Sequence, residues 1–398
     1  MRTTVKKITA IMLCLAMLIA AMSVSVFAGT VKGGKDYSGL KYKHYTYLGD
    51  SISWGYGLCD LSPFAAENMF IRVKGSFGDI VGSVLEANSD DVTVVSAACN
   101  GARLCEFRSA LEKGMHVANP YVHEEDAFSA RSIERSRRLV SRESGDYLVE
   151  NLAKSDLITV TLGANDIAGC AIDAASKLEF LDLDKLGSLT DTKAKINYAF
   201  TAIQSIVKNT RQFKAFADTF MAEIKALNQN QKAVIRDIAK IAPNADILVV
   251  GYFVPMDTFR LIPGTDSSLL VELFGTVLTT FNDAYESIAS EYSNVFYVDA
   301  PDASIFFEEG TLFTDALLTI VNDKDKFLLG IHPDAEGCKY IAGRVLDKLV
   351  QINANRAAAA AAPSFPARTV GYVVSVVTKS VTNITNKIIS GISSLFKK

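Results

Sequence analysis

Cysteine is scarce in this chain of 398 residues, which contains six. None lies in the dense spacing of a disulfide scaffold, and a chain of this length can bury a full core without covalent cross-links. Five of them, Cys59, Cys99, Cys105, Cys170 and Cys338, follow the N-terminal apolar segment. An odd number of cysteines cannot all pair within one chain. We interpret Cys99 and Cys170 as small buried side chains, because a cysteine outside a disulfide is among the residue types most often buried.

Histidine is scarcer still, with four residues. His116 and His123 lie close to the acidic residues 124 to 126, but their spacing does not match that of a zinc site. We therefore expect neither a metal ion nor a cofactor.

An excess of basic residues is also missing, since the formal net charge is −3. Residues 1 to 28 carry three basic and no acidic residues, and residues 356 to 398 carry six basic and no acidic residues. Removing both contributions leaves the body of the chain near −12. Nucleic acid is a poor partner for a body of this charge.

One long hydrophobic run stands at the N-terminus. Basic residues precede the apolar residues 8 to 21, and Ala28 is the kind of small residue that a signal peptidase accepts. This pattern predicts a Sec signal peptide over residues 1 to 28 and a secreted or cell-surface bacterial protein. A retained membrane anchor is the alternative, because the apolar stretch is nearly long enough to span a bilayer. We interpret residues 29 to 39 as a tether, since Asp36 stands where a P-loop needs Ser or Thr.

Strand-like and helical patterns alternate along the body. The predicted strands cover residues 45–48, 91–98, 156–162, 245–251 and 294–299. The clearest helical patterns cover residues 218–242, 267–292 and 338–352. This alternation predicts an α/β fold with five parallel strands, whose carboxyl ends carry the ligand-binding groups.

Two connections, residues 103 to 155 and 167 to 216, are longer than crossovers need and rich in charge. We interpret them as helical insertions. They could form a cap over the site or lie on the surface as decoration, and both arrangements fit the pattern.

Chemically useful motifs follow three of the predicted strands: Gly49-Asp50-Ser51, Cys99-Asn100-Gly101 and Gly163-Ala164-Asn165-Asp166. A serine in a strand-to-helix turn points outward beside backbone N–H groups. The Gly101 N–H and the Asn165 amide could hold a developing oxyanion, and an imidazole such as His332 could serve as the base. For Asn165, capping of the next helix is the alternative. Asp50 is expected to shape the turn.

In this order, and with the His-Pro-Asp-Ala-Glu-Gly block at residues 332 to 337, the motifs resemble an SGNH hydrolase of the GDSL esterase/lipase group. The family's four blocks match Ser51, Gly101, Asn165 and His332. The resemblance implies an SGNH hydrolase domain over residues 40 to 355 with a flavodoxin-like three-layer α/β/α fold. It implies a serine nucleophile at Ser51, a base at His332, and an oxyanion hole formed by Ser51, Gly101 and Asn165.

The implied activity is cleavage of carboxylic esters, in lipids or acetylated carbohydrates, through an acyl-Ser51 intermediate. One position departs from the family pattern, because Leu329 stands where an aspartate usually orients the histidine. The orienting group could be a backbone carbonyl or a displaced carboxylate, for which Asp323 and Asp325 are the candidates. The alternative function is a catalytically weak or inactive surface module that binds glycan or lipid.

The C-terminal segment has a composition of its own. Residues 356 to 368 hold an alanine run and two prolines, which predicts a linker. In residues 369 to 398, apolar side chains recur at helical spacing beside basic ones, which predicts an amphipathic basic helix. Such a helix could contact a membrane or cell surface through residues 370 to 398. Docking on its own body and self-association are the alternatives.

Overall fold

The computed structural model describes residues 35–62, 65–124, 133–177, 209–252, 268–299, 332–333 and 335–361. These residues contain a five-stranded sheet of β1 (His44–Gly49), β2 (Thr93–Ala98), β3 (Leu157–Thr161), β4 (Asp246–Val250) and β5 (Val295–Val298). The strands are all parallel, in the order β2-β1-β3-β4-β5. Each strand coincides with a predicted strand to within one or two residues at either end. The order is that of flavodoxin-like folds, so the predicted fold class is confirmed.

The α-helices of the described residues are α1 (Ser51–Trp54), α2 (Phe77–Asn88), α3 (Leu104–Gly114), α4 (Ile133–Leu139), α5 (Arg142–Lys154), α6 (Ala164–Lys177), α7 (Thr210–Ile241), α8 (Ser268–Ser290) and α9 (Ala335–Ala361). A short 3-10 helix spans Ala66–Asn68. The chain reverses its direction across the sheet after β2, and right-handed crossovers therefore place helices on both faces.

Burial follows from this layered arrangement. Every residue of β3 and β4 is buried, as expected for parallel strands that are covered on both faces. Helix α2 approaches β1 closely at Gly78, where an added Cβ would lie 2.5 Å from the Tyr47 ring. The core of the domain is thus centred on the inner strands, whose ends carry the predicted motifs.

The first long connection contributes to this core. Leu104, Phe107 and Leu111 of α3 are fully buried, as are Leu148 and Leu152 of α5. The described part of residues 103 to 155 is therefore more than surface decoration. The second connection lies mostly in residues 178 to 208, outside the described residues.

Both ends of the predicted domain differ in detail from the sequence interpretation. Within the predicted tether, Tyr37 donates a hydrogen bond to Asp347 at 3.1 Å and Lys35 contacts the same carboxylate at 2.6 Å. Residues 35 to 39 are thus attached to the domain. Helix α9 continues through Ala361, so residues 356 to 361 are helical rather than linker, because alanine has the highest helix propensity.

The contacts within this chain divide it into two compact units, residues 1 to 350 and residues 351 to 398. The predicted signal peptide at residues 1 to 28 and the predicted amphipathic helix at residues 369 to 398 lie outside the described residues. Among the helices that are described, none is both long and apolar enough to cross a membrane.

Candidate active site

The ends of three neighbouring strands bring the predicted motifs together. Gly49, the last residue of β1, pairs with Ala98 of β2 and with Thr161 of β3, which are the last residues of their strands. The three motifs begin at these ends or shortly after them. They therefore lie side by side at the carboxyl edge of the sheet, where α/β folds place their ligands.

The turn that carries the serine is pressed against β3. An added Cβ on Gly49 would lie 2.4 Å from the carbonyl oxygen of Thr161 and 2.7 Å from Ser53 Oγ, closer than real Cβ contacts. The Asp50 N–H donates to the Thr161 carbonyl at 2.9 Å. Only glycine fits the end of this strand, which fixes where the next residues lie.

Ser51 is the first residue of α1 and is 7% exposed. Asp50 is the N-cap of this helix, and its Oδ1 accepts from the Ile52 N–H at 3.0 Å. N–H groups in the first turn of a helix have no partner within the helix. The Ser51 N–H is therefore positioned beside its own hydroxyl in a region that favours negative charge.

Asp50 is completely buried, and its carboxylate is bound on both sides. Tyr252 donates to its Oδ2 through the phenol hydroxyl, and Thr161 Oγ1 lies 3.3 Å from its Oδ1. Burial raises the pKa of Asp50 to about 6, against the opposing effect of the hydrogen bonds from Tyr252, Ile52 and Thr161. These contacts fit the expectation that Asp50 shapes the turn.

His332 completes a nucleophile and base pair. Its Nε2 lies 2.7 Å from Ser51 Oγ, although 281 positions separate the two residues, and it is 8% exposed. This is the separation that general-base activation of a serine requires. One face of the imidazole is covered by Tyr56, whose ring centroid lies 4.4 Å away at an interplanar angle of 32°. Leu329, Asp323 and Asp325 lie outside the described residues, so the orienting group of His332 stays a prediction.

Gly101 and Asn165 lie close together across the turns after β2 and β3. Gly101 adopts a left-handed conformation with φ of 73°, which glycine accepts at little cost. Asn165 Nδ2 donates to the carbonyl oxygen of Ala102 at 3.0 Å. Because α6 begins at Ala164, Asn165 lies inside the helix and is not its N-cap. An amide has two hydrogens, so the second can serve a ligand.

Asp166, the last residue of the third motif, supports the same turn. Its Oδ2 accepts from the Leu104 N–H at 3.0 Å, at the start of α3. Burial raises the pKa of Asp166 to about 7, although the positive charge of Arg103 opposes this shift. Asn165 and Asp166 thus attach the turn around Gly101 to α6.

Four side chains around the site were not singled out by sequence. Tyr56 and Tyr252 contact His332 and Asp50, Arg135 Nη2 lies 3.5 Å from the carbonyl oxygen of Gly101, and Glu106 accepts from the Arg103 N–H. Tyr252 directly follows Gly251 at the carboxyl end of β4, so its position in the strand pattern could have identified it. Tyr56 lies close to the serine motif. Arg135 and Glu106 carry no comparable signal, because each is one charge in a segment that is rich in charge.

His116 and His123 contact charged side chains outside the four motifs. His116 Nδ1 lies 2.9 Å from Arg142 Nη2, and His123 Nε2 lies 3.8 Å from Glu106 Oε1. Within the described ranges, no three His, Cys, Asp or Glu side chains are grouped so that they could hold a metal ion. None of the five cysteines in these ranges forms a disulfide bond.

Among solved structures, the chain is similar to an extracellular lipase from Streptomyces rimosus, with 16% identity over 77% of this chain and 99% of that chain and a TM-score of 0.37. It is similar to a phospholipase A1 from Streptomyces albidoflavus, with 16% identity over 69% of this chain and 85% of that chain and a TM-score of 0.35. It is also similar to a family two carbohydrate esterase from Clostridium thermocellum, with 13% identity over 79% of this chain and 66% of that chain and a TM-score of 0.34. No curated protein matches the chain.

A sequence model of one protein family matches residues 47 to 340, which is well over half of the chain. The match includes the serine, glycine, asparagine and histidine motifs predicted to form the site. It favours an enzyme over the alternative of an inactive surface module. The chain belongs to the GDSL-like lipase/acylhydrolase family and is a carboxylic ester hydrolase.

Proposed function

We propose that this protein is a secreted serine esterase that works through an acyl-Ser51 intermediate. The observation that carries the proposal is the 2.7 Å separation of His332 Nε2 and Ser51 Oγ. Ser51 Oγ attacks the ester carbonyl carbon while His332 takes its proton, and His332 then returns that proton to the leaving alcohol. A water molecule, deprotonated by His332, attacks the acyl carbon, and the carboxylic acid leaves as Ser51 regains its proton.

The developing oxyanion is held by the Ser51 N–H, the Gly101 N–H and the free hydrogen of the Asn165 amide. Support for this assignment comes from the shared edge of the sheet and from the Asn165 bond to Ala102, which fixes the amide beside the Gly101 turn. Fixed donors of this kind need no reorganisation when charge develops on the carbonyl oxygen.

The charged form of His332 is stabilised by a displaced carboxylate, Asp323 or Asp325, or by a backbone carbonyl. The variants Asp323→Ala and Asp325→Ala separate these possibilities. A loss of kcat in one of them identifies the carboxylate, whereas near-wild-type rates in both leave the backbone carbonyl.

The substrate is an ester of a lipid or an acetylated carbohydrate, both of which a secreted enzyme meets outside the cell. Contact with a lipid surface is assigned to residues 370 to 398, which carry basic and apolar residues but no acidic ones. Full-length protein should bind anionic vesicles more tightly than a form that ends at Ala362. Equal binding of the two forms would contradict the proposed contact with a lipid surface.

The test of the mechanism uses residues 29 to 398, a fluorophosphonate probe and aryl esters that range from acetyl to long acyl. Wild type should be labelled, and Ser51→Ala should lose labelling together with at least about 10⁴-fold in kcat. Ser53→Ala is the matched control, since it removes a neighbouring buried hydroxyl that bonds to Thr161 Oγ1 at 2.6 Å. It should still be labelled.

The preferred acyl length then separates a deacetylase from a lipase. An absence of labelling and of hydrolysis at every length would contradict the mechanism. Secretion has its own test, since protein recovered from the culture medium should begin at Gly29.

A further inference from the structure

A buried ion pair contacts the turn that carries Gly101. Arg135 of α4 is 1% exposed and Glu106 of α3 is fully buried. Arg135 Nη2 lies 3.1 Å from Glu106 Oε1, and Arg135 Nη1 lies 3.3 Å from Glu106 Oε2. Ser136 also donates its hydroxyl hydrogen to Oε1. The arginine thus binds the carboxylate with two prongs, the strong geometry for such a pair.

The pair reaches the turn at three positions. Arg135 Nη2 lies 3.5 Å from the carbonyl oxygen of Gly101, and Arg135 Nη1 lies 3.5 Å from Cys99 Sγ. Glu106 Oε2 accepts from the Arg103 N–H at 3.0 Å. The contacts fall two residues before Gly101, at Gly101 itself and two residues after it. Together they hold the turn along its whole length.

Stability alone does not account for a pair in this position. Burial acts to raise the pKa of Glu106, but the charge of Arg135 and the hydrogen bond from Ser136 outweigh it, and the pKa stays below its usual value. The carboxylate is therefore ionised at neutral pH. Well-packed apolar residues often replace a buried ion pair with equal or greater stability, so a contribution to stability is a weak reason for the pair, and its contacts with the turn offer another.

A glycine turn needs such support more than other turns do. Glycine populates left-handed and right-handed backbone conformations about equally, so its N–H direction is poorly fixed by the local sequence. A donor in an oxyanion hole must lie within a narrow range of distances from the developing charge and must point at it. Contacts from one buried ion pair to residues 99, 101 and 103 reduce the number of conformations open to the turn.

We propose that Arg135 and Glu106 are positioning residues that aim the Gly101 N–H into the oxyanion hole. The inference rests on the proposed function, in which Gly101 is an oxyanion donor. It assigns a catalytic consequence to α4, which belongs to the first inserted connection.

The test compares the double variant Arg135→Met/Glu106→Gln with wild type. Both charges are removed together, so neither Arg135 nor Glu106 is left buried without the other, and the glutamine that replaces Glu106 can still accept from the Arg103 N–H. We expect kcat for an aryl ester to fall about 10- to 100-fold, with KM within about twofold, because the lost interaction acts in the transition state. Affinity for phenylboronic acid, which forms a tetrahedral adduct with the serine, should fall by a similar factor.

Arg138→Met is the matched control. Arg138 lies on the same helix and donates to the carbonyl oxygen of Ala66 at 3.0 Å, away from the turn. It should keep wild-type kcat. Arg135→Lys is the second variant, because lysine keeps the charge beside Glu106 but lacks the fork that reaches Cys99 and Gly101 together. It should also lose kcat with an unchanged KM.

Wild-type kcat in a folded double variant would overturn the inference, and so would an equal loss in Arg138→Met. Unfolding of both Arg135 variants would overturn it as well, since the pair would then be a requirement for folding. If wild type hydrolyses esters and Ser51→Ala does not, these outcomes leave the proposed function intact. If wild type hydrolyses no ester, the proposed function itself fails.

Discussion

The turns after β1 and β2 leave the sheet next to each other, yet different contacts hold them. The Ser51 turn is fixed by its own sequence and by the adjacent strand, through the Asp50 cap on Ile52 and the close approach of Gly49 to Thr161. The Gly101 turn is fixed by side chains that arrive from other helices. Arg135 comes from α4, and Asn165 and Asp166 come from α6.

This difference separates two tasks within one reaction. The nucleophile needs a single fixed position, which a short turn and a tight steric fit provide. An oxyanion donor on a flexible glycine turn needs anchoring from outside. Changes in the inserted helices should therefore alter transition-state stabilisation, whereas the serine turn should respond mainly to changes inside itself and at the ends of the neighbouring strands.

The largest expected effect comes from breaking the steric fit of the serine turn. Gly49→Ala puts a Cβ about 2.4 Å from a backbone oxygen that cannot move away, and we expect a loss of about 4 kcal/mol or more in the free energy of unfolding. Urea denaturation measures this loss. Gly343→Ala is the control, because nothing lies within 4 Å of its added Cβ and alanine favours the helix. Equal stability of the two variants would show that the turn is not sterically fixed.

The next largest effect is expected when the support that α6 gives to the Gly101 turn is removed. Asn165→Ala removes both the bond to Ala102 and the proposed oxyanion donor, so we expect kcat to fall about 10²- to 10³-fold with little change in stability. Steady-state kinetics and thermal unfolding measure the two quantities. Asn151→Ala removes a similar bond, from Asn151 Nδ2 to the Tyr147 carbonyl at 2.8 Å on α5. A comparable loss of kcat there would contradict a special role for Asn165.

The contrast between the two turns also explains what the sequence could predict. The strands were predictable because each is a short apolar run, and the serine turn was predictable because its glycine, its cap and its nucleophile are consecutive. Asn165 and His332 were candidates from their motifs, and the family resemblance assigned them their roles. The pairing of His332 with Ser51 spans 281 positions. The support of the Gly101 turn was not predictable, because Arg135 and Glu106 resemble solvated surface charges until the fold buries them.

The interpretation of the ends differed from the structure for local reasons. Two prolines and an alanine run suggested a linker from residue 356, but alanine continues α9 as far as Ala361. A near-match to a P-loop that fails at Asp36 suggested a tether through residue 39, yet Tyr37 and Lys35 contact Asp347. In both cases a contact or a propensity within the fold outweighed the sequence pattern of the segment.

A smaller effect sharpens the comparison through Asp50, whose pKa of about 6 lies above that of an unfolded aspartate. The Tyr252 hydroxyl favours the ionised form, so Tyr252→Phe should raise this pKa further. In this variant, ionised Asp50 has one hydrogen-bond donor fewer than in wild type. The variant therefore loses stability as the pH rises through the pKa of Asp50. We expect a loss of about 1.5 to 3 kcal/mol at pH 8 and a clearly smaller loss at pH 4.5.

Thermal unfolding at the two pH values measures this difference. Tyr285→Phe is the matched control, since Tyr285 is also buried but donates to the neutral carbonyl of Leu162 at 2.7 Å. Its loss should be similar at both pH values. A pH-independent loss in Tyr252→Phe would mean that Asp50 does not ionise in this range.

The smallest effect concerns the face of His332 that Tyr56 covers at 4.4 Å. An aromatic face stabilises a neighbouring cation by about 0.5 to 2 kcal/mol, with the larger values at buried sites, and His332 is cationic only after it has taken the serine proton. Tyr56→Leu should therefore lower kcat about two- to thirtyfold, whereas Tyr56→Phe keeps the ring and should stay near wild type. Equal loss in both variants would assign the effect to the hydroxyl group instead. An unchanged kcat in both would mean that the charge on His332 is stabilised entirely by its other neighbours.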